Sequence, residues 1–303
     1  MKKQNLLFLL IMFMTSGFSS ADISTGLVAH YRFDDCSATD SSGNEHNGVI
    51  HGAPKCAAGV NGKGLQFNGT DTYIEINDTP DLRLSGTSYT LSGWVLPKSY
   101  NDSYMSALLS KRGNQNGDGY IWGITGNVDS SPIGRQRVQI SGGVDPSAYS
   151  TKASKLNAWR HFVVVYEVET QVIKFYSNSV LNGTASNIPS PNPNTTASLR
   201  IARDSDDLNA LGPYFFNGLI DDLRIYNRAL TAGEIAELFN LGQSISGSIK
   251  GLQQVSVMCT NVTTGQIVTI PLQSGSSWNC KKAGLKIQPN QSINISIDGK
   301  TYP

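Results

Sequence analysis

From Leu27 onward, apolar and polar positions alternate in short runs. Leu65-Gln-Phe67 and Tyr73-Ile-Glu-Ile76 carry the period-2 pattern of half-buried strands. Thr90-Leu-Ser-Gly-Trp-Val-Leu96 ends at Pro97, which cannot donate to a ladder. His161-Phe-Val-Val-Val-Tyr166 is continuously apolar, the pattern of a strand covered on both faces. Val172-Ile-Lys-Phe-Tyr176 follows after a turn. Clusters of Gly, Asn, Asp and Pro separate these runs and supply turn chemistry. Many short strands with no helices between them predict an all-β, antiparallel two-sheet sandwich or jelly roll.

One helix interrupts the pattern. Thr231-Ala-Gly-Glu234 is a capping box, in which the threonine oxygen can accept from the third helical amide. Ile235, Leu238, Phe239 and Leu241 follow at helical spacing, and Gly242 provides the stop. This short capping helix is expected to plug one end of the sandwich. Beyond Gly242 charges thin out and alternation becomes strict. Val255, Val257 and Cys259 share one face, and Ile293, Ile295 and Ile297 alternate with polar residues. Residues 243–303 therefore read as a separate small β-sandwich-like domain, with residues 22–242 as the main one.

The start of the chain has another character. Met1, Lys2 and Lys3 precede the apolar residues 6–14, and Ser19 and Ala21 form a small-x-small exit. This is a secretory signal peptide over residues 1–21, expected to be cut after Ala21. The apolar run is shorter than the ~20 residues that span a bilayer, so membrane insertion is not expected. The product is expected to be secreted, periplasmic or on the cell surface. The chain carries 24 Lys+Arg and 23 Asp+Glu, and loss of Lys2 and Lys3 leaves 22 against 23. Near-neutrality gives no general attraction to nucleic acid or to anionic lipid. Export changes the reading of the four cysteines. None has metal or redox spacing, and the local pairs Cys36–Cys56 and Cys259–Cys280 are expected to form disulfides. Other pairings would cross-link the two domains. Each local pair closes a loop of about 20 residues, worth roughly 3 kcal/mol in the chain-entropy model.

Six segments in order resemble the LamG-like (concanavalin A-like) jelly-roll family over roughly residues 26–242. They are Leu27-Val-Ala-His-Tyr-Arg-Phe-Asp-Asp35, Asp40-Ser-Ser-Gly-Asn44 with Gly48, Gly62-Lys-Gly-Leu-Gln-Phe-Asn-Gly69, Leu91-Ser-Gly-Trp94, Trp159-Arg-His161, and Gly218-Leu-Ile-Asp-Asp-Leu-Arg-Ile-Tyr-Asn-Arg-Ala-Leu-Thr231. One departure is visible: the family's Asn-Gly turn is Asn178-Ser179 here, which weakens the expectation of a tight turn. Cys259-Thr-Asn-Val-Thr-Thr-Gly265 and Trp278-Asn-Cys280 resemble small β repeats of bacterial exported proteins.

Candidate chemistry is of two kinds. Asp34, Asp40, Asn44, Asp221 and Asp222 supply hard oxygens suited to Ca²⁺. The resemblance brings the first loop to the last strand and implies a structural calcium there. Strict alternation puts Asp221 on the face of Leu223 and Ile225, so it ranks before Asp222. The bland alternative is that these are turn-forming residues and a solvated acidic edge. The second kind is aromatic. Tyr100, Tyr104, Tyr149 and Tyr214 in loops, with Trp122, are candidates to stack on sugar rings.

Catalytic patterns are poor. Retaining glucanases of this fold carry Glu-x-Asp-x-x-Glu on one strand, and Glu75-Ile-Asn77 has Asn at the central position. His161 reads as a structural core histidine. The function expected is a non-catalytic carbohydrate-binding module. The rivals are an adhesion or surface-assembly protein that binds an extracellular protein, and a hydrolase with an unrecognised site. A chain ended at Gly242 is expected to unfold in one cooperative transition. Aggregation of that shortened chain, with the full chain soluble, would place residues 245–303 in the same core.

Overall fold

The computed structural model describes residues 22–113, 119–128, 131–140, 147–204, 213–242, 246–248, 255–272, 277–280, 283–285, 293–297 and 300–302. The expected cleavage after Ala21 and the expected boundary near Gln243 lie outside these residues.

Two antiparallel sheets form the sandwich. The first sheet contains β1 (Leu27–Tyr31), β3 (Lys55–Ala58), β4 (Lys63–Asn68), β6 (Tyr89–Pro97), β11 (Arg160–Glu167), β12 (Val172–Ser177), β13 (Val180–Ala185) and β15 (Asn217–Tyr226). Its order is β13-β12-β11-β6-β15-β4-β3, with β1 also paired to β15. The second contains β2 (Val49–His51), β5 (Tyr73–Ile76), β7 (Met105–Lys111), β8 (Tyr120–Thr125), β9 (Gln136–Ile140), β10 (Ser147–Tyr149) and β14 (Leu199–Ile201). Its order is β10-β9-β8-β7-β14-β5-β2. Every strand expected from alternation is present, because each carries a face of Leu, Ile, Val, Phe or Tyr that only a partner sheet can dry. Leu65, Phe67, Leu91, Phe162, Val164 and Ile220 of the first sheet meet Ile74, Ile76, Trp122, Val138 and Leu199 of the second in one core.

The single helix is α1 (Ala232–Gly242). Both halves of its capping box form: the Thr231 amide donates to Glu234 Oε2 at 2.7 Å, and the Glu234 amide donates to Thr231 Oγ1 at 3.3 Å. The helix does not plug an end of the sandwich, as expected above. Ile235 and Leu238 pack on Val163, Val165, Tyr176 and Tyr226, which lie on the outer face of the first sheet. This explains the unbroken apolar run in β11: Phe162, Val164 and Tyr166 face the core, while Val163 and Val165 face the helix. Trp94 is likewise buried under α1, stacked on Phe239 with ring centroids 5.5 Å apart. A side chain at Gly242 would collide with the Trp94 indole, so this glycine lets the helix end lie against the ring.

β15 organises the first sheet. On one side it pairs with β6 along its length; on the other, residues 217–220 pair with β4 and residues 223–226 with β1. Between these stretches it carries a bulge, with a register shift between Asp221 and Arg224 and φ 52° at Asp222. The hairpin joining β12 to β13 is tight despite lacking its glycine. Asn178 and Ser179 take φ 50° and 62°, the two left-handed positions of a type I′ turn.

Both disulfides form as expected, with Cα–Cα distances of 5.5 Å for Cys36–Cys56 and 5.9 Å for Cys259–Cys280. In the C-terminal part, β17 (Val255–Asn261), β18 (Ile267–Leu272), β20 (Ile293–Ile297) and β21 (Lys300–Tyr302) make a four-stranded sheet in the order β18-β17-β20-β21. β16 (Ser246–Ser248) pairs with β19 (Ser277–Asn279). Val257, Cys259, Cys280 and Leu285 form a small core there.

A buried charge braces the second sheet. Lys111 at the end of β7 is fully buried and donates to Asp78 Oδ1 at 2.6 Å and to the Ala197 carbonyl. Asp78 also accepts from Arg83. The Arg83 hydrogen bonds, followed by those from Lys111, overcome burial and lower the Asp78 pKa to about 2. A carboxyl held below its unfolded value of about 3.9 contributes stability above that value and loses it as pH falls through the folded value. This contribution is therefore expected to disappear between about pH 4 and pH 2. Asp78→Asn is expected to cost about 3 kcal/mol at pH 7 by leaving Lys111 buried without its counter-ion. Denaturant unfolding at pH 7, 3 and 2 checks both statements; the two proteins should converge at the lowest pH.

Candidate functional site

The acidic residues of the first loop and last strand are not one cluster. Asp40 is spent on its own loop. Its Oδ1 accepts from the His30 and Ser42 amides, and its Oδ2 from Ser42 Oγ and the His46 amide. Burial would raise its pKa, but these hydrogen bonds prevail and lower it. The Asn44 side chain donates to the Leu27 and Val28 carbonyls. Asp40 and Asn44 therefore shape the loop after β1 as an Asx-type scaffold.

Asp222 is held inside a different network. It accepts from His30 Nε2 at 2.6 Å and Arg224 at 2.7 Å. Burial opposes ionisation, and the charge of Arg224 with the His30 hydrogen bond overcomes it, so Asp222 stays well below the usual carboxylate range. Burial lowers the His30 pKa, against the pull of its hydrogen bond with Asp222.

Asp221 differs from both. It is almost fully buried, and its Oδ2 accepts from the Val60 amide at 2.8 Å and the Asn61 amide at 3.3 Å. Its Oδ1 has no hydrogen-bond partner among the described residues. Burial pushes its pKa up to about 7, against the pull of the Asn61 and Val60 amides, and the negative charges of Asp222 and Asp34 add to the rise. Asp34 lies across the same loop, accepting from the Lys63 amide at 3.3 Å and from Arg32 at 2.9 Å. A side chain at Gly62 would collide with Asp34, and one at Gly59 with Asp221, so the loop joining β3 to β4 closes over both acids only because glycine stands at each end of it.

The alternation argument that ranked Asp221 does not hold. Ile220 and Leu223 both face the core, three positions apart, because the bulge resets the parity. Asp221 points to the outer side of the sheet, beneath the residue 59–62 loop. Among the described residues no three His, Cys, Asp or Glu converge as a metal cluster. Asp34, Asp40, Asn44 and Asp222 are all engaged by neighbouring groups, and of the five only Asp221 keeps a bare oxygen.

The aromatic candidates also separate. Trp122 faces the sandwich core and is fully buried, so it is not a sugar platform. Tyr214 is buried with Met105, Ala107 and Ile121 on the outer face of the second sheet, where it serves packing. Tyr100 packs on the core and donates to the Ser154 carbonyl at 2.6 Å. Tyr104 is 39% exposed. Tyr149 stands on the outer face of the second sheet with the Arg137 guanidinium 5.6 Å from its ring centre.

On that same outer face lies a group absent from the sequence expectations. Ile74, Ile76, Leu199 and Ile201 face the core, so Tyr73, Glu75 and Arg200 point outward. Pairing aligns His51 with Tyr73, and Val49 and Arg200 with Glu75. The His51 ring lies flat on Tyr73, with centroids 4.4 Å apart and planes at 5°. The Arg203 guanidinium lies 4.7 Å from the Tyr73 ring centre and 5.4 Å from that of Phe215. Glu75 bridges His51 at 3.3 Å and Arg200 at 3.1 Å. The alternation in Tyr73-Ile-Glu-Ile76 was the available signal for two of these residues; nothing local marks His51 or Phe215.

Catalytic pairs are accounted for otherwise. Ser92 Oγ and His161 Nε2 are 2.9 Å apart, but both are buried beneath α1, where burial lowers the His161 pKa to about 3. Glu167 is tied to Lys174 at 2.6 Å.

Comparison with known proteins agrees with this architecture. A family model described as the concanavalin A-like lectin/glucanases superfamily matches residues 68–236. Domain 4 of AbnA, an extracellular arabinanase from Geobacillus stearothermophilus solved in complex with arabinotriose, is 26% identical, with 70% of this chain and 97% of that one covered and a TM-score of 0.56. The binding domain of Paraclostridial Mosquitocidal Protein 1 is 14% identical, with 91% and 76% covered and a TM-score of 0.59. A botulinum neurotoxin type C structure is 14% identical, with 94% and 74% covered and a TM-score of 0.60; both toxins share the fold. No curated protein matches the chain significantly. With the family model spanning more than half of it, the chain belongs to the concanavalin A-like lectin/glucanase superfamily.

Proposed function

We propose that this chain is an exported, non-catalytic module that binds carbohydrate outside the cytoplasm. The observation that carries this is the likeness to domain 4 of AbnA, which extends over nearly all of that domain and which was solved with arabinotriose. Two disulfides suit an oxidising compartment. The chemistry of the outward face argues for binding over hydrolysis. Glycosidases of this kind need two carboxyls flanking one bond. Here Glu75 is neutralised by Arg200, its strand is followed by Asn77, and Asp78 is taken by Arg83 and Lys111. Saturable binding to part of an oligosaccharide panel that includes arabinotriose is expected, with no release of reducing sugar on prolonged incubation. Hydrolysis of any member, or binding to a protein partner and to no glycan, would overturn the proposal.

The bare oxygen of Asp221 favours a second element: a structural Ca²⁺ held by Asp221 and Asp34 under the residue 59–62 loop. When bound, the cation would neutralise the paired acids and tie the start of the sandwich to its last strand. A ligand that binds only the folded state raises the melting temperature by mass action. Chelation is expected to lower it, and Asp221→Ala to abolish that response. Asp40→Ala should destabilise with or without Ca²⁺, since Asp40 holds backbone amides. Identical melting curves after exhaustive chelation, with no metal found by mass spectrometry, would refute this element.

A further inference from the structure

We propose that the outward row His51–Tyr73–Glu75–Arg200, with Arg203 and Phe215 behind it, is the subsite that takes a neutral oligosaccharide; the inference rests on the carbohydrate-binding reading above. The core does not need this row, because Ile74, Ile76, Leu199 and Ile201 already seal the inner side of the same strands. The six side chains are fixed by one another. Tyr73 is in contact with both the His51 ring and the Arg203 guanidinium, and Arg203 also lies against Phe215. Glu75 anchors His51 on one side and Arg200 on the other. Groups held this way lose little freedom when a ligand arrives, the condition for useful affinity from a shallow surface.

The chemistry is that of a polyhydroxylated ligand. The His51 side chain is 36% exposed and offers a flat ring edge at the rim of the sheet. Beside it stand a carboxylate that accepts and a guanidinium that donates, which vicinal hydroxyls can engage together. Glu75 and Arg200 cancel in charge, and the one remaining charge, Arg203, lies against the Tyr73 and Phe215 rings. A sulfated or uronate chain would meet Glu75, and a cationic one would meet Arg200 and Arg203. β2 is the edge strand of its sheet, so the row is open at one end and a glycan chain can continue past His51.

The test uses the whole chain against immobilised neutral pentose and hexose oligosaccharides, alongside sulfated and uronate ones. His51→Ala and Glu75→Gln are expected to weaken binding of the preferred neutral glycan about tenfold or more, as loss of a central contact does. Thermal melting identifies which variants are folded, and the conservative Glu75→Gln keeps the test valid if His51→Ala is unstable. Val180→Ala, at an exposed position on the edge strand β13 of the first sheet, should bind as the unaltered chain does. Unchanged affinity in folded His51→Ala and Glu75→Gln would displace the subsite and leave the module reading intact. Preference for the sulfated or uronate members would overturn the ligand class. Failure of the unaltered chain to bind any glycan would overturn the module reading and the subsite with it.

Discussion

The bulge in β15 is the constraint around which the sandwich is arranged. The strand must accept two partners in succession on the same side: β4 along residues 217–220 and β1 along residues 223–226. A strand without a bulge would keep Ile220 and Leu223 on opposite faces, and one of them would meet water. The extra residue, with Asp222 at φ 52°, brings both into the core. It also turns two carboxylates into the junction between β4 and β1, where backbone pairing is interrupted. Asp222 is neutralised there by Arg224 and by a hydrogen bond from His30. Asp221 is received by the amides of Val60 and Asn61. A buried carboxylate with one oxygen still bare is costly to maintain, which is why the surrounding loop is the most chemically pointed part of this sheet.

The same junction links local features that would otherwise look unrelated. The Cys36–Cys56 disulfide ties the turn after β1 to the edge strand β3. β3 leads directly into the residue 59–62 loop that covers Asp221 and Asp34. The disulfide thus restrains the loop from one side, while Asp40 organises the turn from the other by gathering three backbone amides.

The two sheets divide the work between their outer faces. The first sheet's outer face is apolar at β11, β12 and the end of β15, where α1 dries it. Part of the second sheet's outer face is apolar as well, under Tyr214. Toward the β2 edge it carries instead the stacked histidine, tyrosine and arginine with their bridging glutamate. The core is sealed by the inner face of the same strands, so these polar groups add little to folding.

Disulfide pairing, strand positions and the helix cap were all readable along the chain, because each rests on local chemistry: cysteine spacing, period-2 alternation and a threonine three residues before a glutamate. Asn178-Ser179 shows how far local preference bends, since flanking strands in register impose a left-handed turn on a serine. What the chain alone left open depends on which residues meet. The place of α1 was misjudged because amphipathicity says that a helix has a dry face and not which surface dries it. Trp122 was taken for a possible surface ring because alternation in β8 does not say which face is inner. Asp221 was assigned the inner face by strict alternation, and a bulge, set by the two-partner pairing of β15, turned it outward. His51, Tyr73, Arg200 and Phe215 lie far apart in sequence, and their conjunction exists only through the pairing of β2 with β5 and β5 with β14. Short-range patterns encode elements; a surface built across strands is encoded in their order and register, which long-range packing selects.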